Sequence, residues 1–352
     1  MGPHMRSDAA STHTRLLTHL AGGALLLATS ASMSACFGGG EGVFLEAEDV
    51  SLDMPTRASE FRAEGDIRGD AWWLITHTAT DVDSWVTTVV ETSAYIVEFL
   101  DDHPATTRDG AWRVYGPFDD ERGRDLAWIV RISGGDTDTN FEFLVADKGT
   151  TEPDAFVSMV EGGLTIEGDL RSGSMHIDFD TIEAHDDLDE TLAWDYAGDI
   201  TIEFQRNVDS GDKHIDLNFD GFVAEHKGYL DDDRFESDES YRYTREGDGS
   251  GSFFLALDGE WDTYPHGWSG PERERMQLDM IWDSDGRGRA RGTIEAGEEG
   301  GDMLHGDLAL EECFDGQGYL SWRELSELYA AEVPGYNFGT ADSCVFTTDD
   351  LD

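Results

Sequence analysis

The chain has 352 residues, with 24 Lys and Arg against 76 Asp and Glu and a formal net charge of −52. A surface this acidic excludes nucleic acid and anionic membrane surfaces as partners, because both would repel it. It keeps the chain soluble and monomeric in high salt, where self-repulsion is screened, and a lysine content limited to Lys148, Lys213 and Lys227 suits saline surroundings.

The first stretch reads as a targeting segment. Arg6 and Arg15 form a basic region, and residues 16–27 are an apolar run too short to span a bilayer as a helix. Met33-Ser34-Ala35-Cys36 follows and resembles the lipobox of bacterial lipoproteins. The resemblance implies that residues 1–35 are a signal peptide, cleaved before Cys36, and that the Cys36 thiol carries a lipid that anchors the chain to the membrane. Phe37 stands where an Asp would mark inner-membrane retention in some bacteria, so the expected location is the outer membrane. Glycines at 38–40 and 42 make a flexible tether. With Cys36 lipidated, Cys313 and Cys344 remain as a pair in an oxidising compartment, and a disulfide between them is expected.

Residues 36–69 read as the tether and an acidic, weakly patterned lead-in with a short helix. Residues 70–352 read as a single β-rich domain. Residues 71–102 contain no Gly and no Pro, and Leu74, Ile75, Val82, Trp85, Val86, Val89, Ile96 and Leu100 fall near helical spacing. The pattern predicts one long helix over 71–102, capped by Asp70 and ended by His103-Pro104.

Residues 111–312 read as antiparallel hairpins. Trp112–Tyr115 with Ala127–Ile132, and Phe141–Val145 with Phe156–Val160, give the first two. An internal repeat supplies the next. Leu164-Thr-Ile-Glu167, Ser172-Gly173 and His176-Ile-Asp178 match Ile200-Thr-Ile-Glu203, Ser210-Gly211 and His214-Ile-Asp216. A fainter copy has Ser250-Gly251, and a further hairpin surrounds Asp285-Gly286. Each unit is predicted as strand, Ser-Gly or Asp-Gly turn, strand. The total is about a dozen strands in a meander.

Each strand has two unlike faces. In "HIDLNFD", Ile215, Leu217 and Phe219 point one way, and His214, Asp216, Asn218 and Asp220 the other. Ile177 and Phe179 oppose His176, Asp178 and Asp180 in the same manner. An apolar face against an acidic one excludes a transmembrane barrel, whose outer face must be apolar. A dozen strands would span about 55 Å laid flat, far more than one helix can cover. The sheet is therefore expected to curl into a half-barrel or barrel with the helix inside. Any space left would take an apolar ligand such as a lipid, lined by Trp72, Trp73, Trp85, Ile177, Phe179, Ile215, Leu217 and Phe219; a dry core is the alternative.

The polar candidates are weaker. The His-Ile-Asp repeats place His and Asp two apart on one strand face, a pattern that suits a divalent metal and equally a solvated face. Asp186, Asp187, Asp189 and Glu190, and Asp231 to Asp233, read as solvated turns. No nucleophile elbow, zinc-protease motif or phosphate loop occurs, and neither a cofactor nor a metal is expected. "CFDGQGYLSWRE", Cys313 to Glu324, has the spacing of the second half of an EF-hand loop. Cys313 stands where that loop needs a carboxylate, and Gln317 is neutral. It reads instead as a turn at Asp315 to Gly318, followed by a short helix from Ser321 to Ala331, in a tail (313–352) closed by the disulfide.

The C-terminal region, Trp282 to Gly316 with Ala341 to Phe346, resembles the ending of uncharacterised bacterial surface lipoproteins. These share W-x(3)-G-x-GR, a later G-D-L, E-C-W/F-D and a final C-x-F behind a lipobox. The resemblance implies mostly β structure and paired cysteines, and no activity. Two readings of function follow: a lipid-anchored carrier of an apolar ligand, or a non-enzymatic surface or adhesion scaffold, with calcium as a possible stabiliser. A hydrolase of dispersed carboxylates has no positive sign in the sequence.

Overall fold

Alternation of apolar and polar residues turns most of the chain after residue 106 into strands. The computed structural model describes residues 45–55, 69–76, 79–80, 90, 100, 104–119, 125–185, 194–226, 234–237, 240–261, 272–295 and 307–351. The strands are β1 (Thr107–Asp109), β2 (Trp112–Asp119), β3 (Leu126–Gly134), β4 (Asp138–Asp147), β5 (Val157–Glu167), β6 (Leu170–Asp178), β7 (Trp194–Asn207) and β8 (Lys213–His226). Then come β9 (Arg234–Ser237), β10 (Ser240–Arg245), β11 (Gly251–Trp261), β12 (Glu272–Trp282), β13 (Gly288–Glu295), β14 (Leu308–Phe314), β15 (Leu320–Leu325) and β16 (Phe338–Gly339). Short helices with both ends described are α1 (Ala47–Val50), α2 (Phe179–Glu183) and α3 (Glu327–Glu332).

All strands join one antiparallel meander in chain order, and the sheet is not closed: β1 and β16 are its two ends. β9 and β10 both lie between β8 and β11, as two parts of one position. The sixteen strands thus fill fifteen positions, against about a dozen expected.

The connections alternate in length. At one end they are short, spanning 110–111, 135–137, 168–169, 208–212, 246–250, 283–287 and 315–319. At the other they are longer, spanning 120–125, 148–156, 179–193, 227–233, 262–271, 296–307 and 326–337. Below, these are the short-turn end and the long-loop end.

The inner face is mainly apolar. A single core cluster joins Tyr115 on β2, Ile132, Phe143 and Leu164 to Ile202, Ile215, Tyr243, Leu278 and Phe314 on β14. The same cluster takes in Leu45, Val50, Trp72, Ile75, Ala79, Val90 and Leu100 from the N-terminal part. On the outer face a small second cluster, Ala127, Ile129, Leu144 and Ala146, lies with Phe156.

One expectation reaches beyond the described residues, and others are corrected. Residues 70–76 and 79–80 are helical, as are Val90 and Leu100, but the stretches between lie outside the described residues, so the single 71–102 helix is not shown. Its start is also capped differently from the expectation: Asp70 is already helical, and its side chain bonds elsewhere.

Ser172-Gly173 is not a turn. It lies within β6, and the chain turns at Gly168, whose φ is +64°. A β-carbon on Gly173 would sit 2.8 Å from the Phe204 ring. The glycine is needed for that packing rather than for a bend.

Residues 321–325 are strand, not helix. Cross-strand pairing of Trp322 with Cys313 on one side and Gly339 on the other fixes them in β15, and the helix starts only at Glu327. The Asp315 to Gly318 turn is as expected. Asp315 Oδ1 accepts from the backbone N–H groups of Gln317 and Tyr319, and Gly318 has φ +77°, where a β-carbon would sit 2.7 Å from the Trp72 ring.

Candidate functional site

The inner-face rows of four neighbouring strands end in cations at the short-turn end. Arg171 on β6 pairs in register with Arg206 on β7, Arg206 with Lys213 on β8, and Lys213 with Arg245 on β10. Like charges directly opposite across strands repel, so this ladder needs counter-charge. The lead-in supplies it. Residues 45–55 form a strap whose apolar Leu45 and Val50 enter the core, while its carboxylates meet the ladder.

Asp49 is the centre of the strap and has no solvent exposure. Arg171 donates to it from Nε at 2.8 Å and from Nη2 at 2.7 Å, and Arg206 Nη1 donates at 3.2 Å. Glu46 lies 3.5 Å from both guanidinium groups. Burial by itself would lower the pKa of Arg171; Asp49, with Glu46 and Glu48, reverses this, and the net direction is upward.

Lys213 Nζ donates to the Ser51 carbonyl at 2.8 Å and lies 3.5 Å from Asp53. Burial pushes the Lys213 ammonium pKa down, opposed by Asp53. Arg245 Nη1 donates to Asp53 at 2.7 Å, and the Tyr243 hydroxyl accepts from the Asp53 N–H at 3.0 Å.

A second latch holds residues 69–76. Glu312 on β14 is fully buried, and its carboxylate accepts the backbone N–H groups of Asp70 at 2.8 Å, Ala71 at 2.7 Å and Trp72 at 3.2 Å. These are the orphan donors of a helix start, satisfied from 240 residues away. Burial pushes the Glu312 carboxyl up to about 7, with Asp70 adding to the rise and the three amides opposing it. Asp70 accepts from Arg323 Nη1 at 3.0 Å and from the Tyr336 hydroxyl at 2.6 Å. Arg323 stacks 3.6 Å from the Tyr336 ring centroid. Burial, then the bond to Asp70, pushes the Tyr336 hydroxyl pKa up.

The tail forms a third. Cys313 and Cys344 are disulfide-bonded. Arg289 beside them bonds the Glu311 carboxylate, the Phe346 carbonyl at 3.2 Å and the Thr348 hydroxyl at 2.7 Å.

The residues singled out for an apolar ligand fall in the core. Trp72, Ile177, Phe179, Ile215 and Leu217 are buried in the main cluster, with Trp73 and Phe219 packed against it. Phe179 begins α2 rather than ending a strand, because Asp178 caps that helix through the Thr181 N–H, and the Phe179 ring meets Tyr196 and Phe222. Trp85 and Cys36 lie outside the described residues, as do the acidic runs at 186–190 and 231–233.

The two His-Ile-Asp repeats stay apart. His176 Nε2 is 3.0 Å from Asp199, and His214 Nε2 is 2.7 Å from Asp216, each pair partly exposed on the outer face. Among the described residues no three His, Cys, Asp or Glu side chains are grouped to hold a metal ion. No helix among them is long and apolar enough to cross a membrane.

Sequence reading missed the strap, the cation ladder and Glu312. One signal was available: in a chain with so few cations, Arg171, Arg206, Lys213 and Arg245 all sit next to a turn, on the apolar side of the alternation. No family model, curated protein or solved structure matches the chain.

Proposed function

We propose that the chain is an exported, lipid-anchored scaffold of the bacterial envelope, held at the outer membrane through Cys36 and without a chemical step of its own. The observation that carries the scaffold reading is the filled inner face. Trp72, Ile75, Ala79, Val90 and Leu100 lie in one core with residues from β2 to β14, each at most 2% exposed. Fifteen strand positions laid flat would span about 70 Å, so a single core across them favours a curled half-barrel closed on its own N-terminal residues.

The lipobox-like Met33 to Cys36 and the lipoprotein-like ending at 282–316 and 341–346 support the anchor. The carrier reading would need space along the core beyond the described residues. Its candidate residues within the described part are already covered by the chain itself.

Changing Cys36 to Ser tests the anchor. The wild-type protein is expected in the membrane fraction with an acylated N-terminal cysteine, and the variant in the soluble fraction. A Cys36→Ser protein that stays on the membrane would remove the lipid anchor from the account.

A further inference from the structure

We propose that the short-turn end of the sheet faces the bilayer and the long-loop end projects away from it. This rests on the lipidation of Cys36. Eight residues separate Cys36 from Leu45, where the strap begins, and nine extended steps reach at most about 30 Å.

The strap's ion pairs fall on the short-turn end. Its partners are Arg171, next to the 168–169 turn; Arg206 and Lys213, which flank the 208–212 turn; and Arg245, which precedes the 246–250 turn. β7 and β8 are 14 residues long, so the long-loop end lies about 45 Å further along the strands. A lipid at Cys36 can reach a bilayer beside the short turns. It cannot let the far end lie equally close unless the whole sheet lies on its side.

Charge works against that side-on posture. The outer face carries Asp178, Asp199 and Asp220 in register across β6, β7 and β8, and an anionic lipid surface repels it. The short turns also expose Asp209, Asp248, Asp285 and Asp315. The tether therefore acts as a spacer that holds this end near the membrane and off it. This end faces the lipid headgroup layer without binding it.

Energy transfer to headgroup-labelled lipid measures the orientation. Val208 in a short turn and Val157 at the start of β5 on the long-loop end are both exposed, at 54% and 47%. Val208→Cys and Val157→Cys proteins, purified with native N-termini, are labelled and placed on vesicles containing phosphatidylglycerol. Transfer from position 208 is expected to exceed that from 157 several-fold. A 20-residue Gly-Ser insertion after Gly40, outside the folded residues described, should flatten the difference. Equal transfer from both positions, or more from 157, on protein whose Cys36 peptide carries acyl mass overturns the orientation and leaves the anchor standing. A Cys36 peptide without acyl mass overturns the anchor and the orientation with it.

Discussion

Asp49 and Glu312 are both buried without solvent exposure, and both fasten N-terminal residues to the sheet, yet they are satisfied in opposite ways. Asp49 sits between Arg171 and Arg206, so its charge is met by charge. Glu312 meets three backbone N–H groups, and its cross-strand neighbour Arg323 is engaged with Asp70 and the Tyr336 carbonyl. A carboxylate between guanidinium groups is held by charge as well as by hydrogen bonds. A carboxylate held by amides alone carries most of its desolvation cost, and its protonation state shifts. The strap is therefore the rigid fastening, and the start of the helical segment the pH-sensitive one.

The largest expected effect comes from the strap. Asp49→Asn removes the buried partner of Arg171 and leaves Arg171 and Arg206 in register with only the more exposed Glu46 as counter-charge, costing about 3–5 kcal/mol. Urea unfolding read by tryptophan fluorescence measures it. A loss below about 1 kcal/mol would make the strap decorative.

Reduction of the Cys313–Cys344 disulfide comes next. The bond closes a separation of 31 residues, for which the chain-entropy model gives about 3.5 kcal/mol. The effect should fall on β14, β15 and the tail and spare the strap. Hydrogen exchange with and without reductant separates the two regions.

Glu312 supplies a pH dependence of similar size. Its folded pKa of about 7 lies above the ordinary 4.5, so between these values the folded state holds a proton that the unfolded state has lost. The stability it contributes is fully present below about pH 4.5 and is lost as the pH rises through about 7, a change of about 3 kcal/mol. The groups facing it are Asp70, Arg323 and Tyr336. Stability curves of wild type and Glu312→Gln, subtracted, should show this slope. A flat difference would place Glu312 ionised throughout.

The smallest effect belongs to the outer part of the strap. Arg245 and Asp53 are substantially exposed, so Arg245→Ala should cost under about 1 kcal/mol and nothing measurable in molar salt. The Asp49 effect should survive the same salt.

What could be read in the sequence follows from the range of each interaction. The faces of β8 were legible because Ile215 and Leu217 alternate with His214 and Asp216 over a few residues. The Asp315 turn and the cysteine pair were legible for similar reasons. Gly173 was misread because its partner, the Phe204 ring, sits on the next strand. Ser321 to Leu325 looked helical because no turn residue interrupts it, while its strand pairing depends on Cys313 and Gly339. The cap of the helical segment was hidden because Glu312 lies 240 residues from Trp72. The cation ladder exists only once the register of four strands is known.

Native mass spectrometry of the protein extracted from membranes in mild detergent tests the central claim most directly. A lipid-anchored scaffold with a self-filled core predicts the mass of residues 36–352 plus covalent acyl groups on Cys36, unchanged when the protein is gently activated in the gas phase. A further apolar molecule released on activation, or a chain without acyl mass, would contradict it.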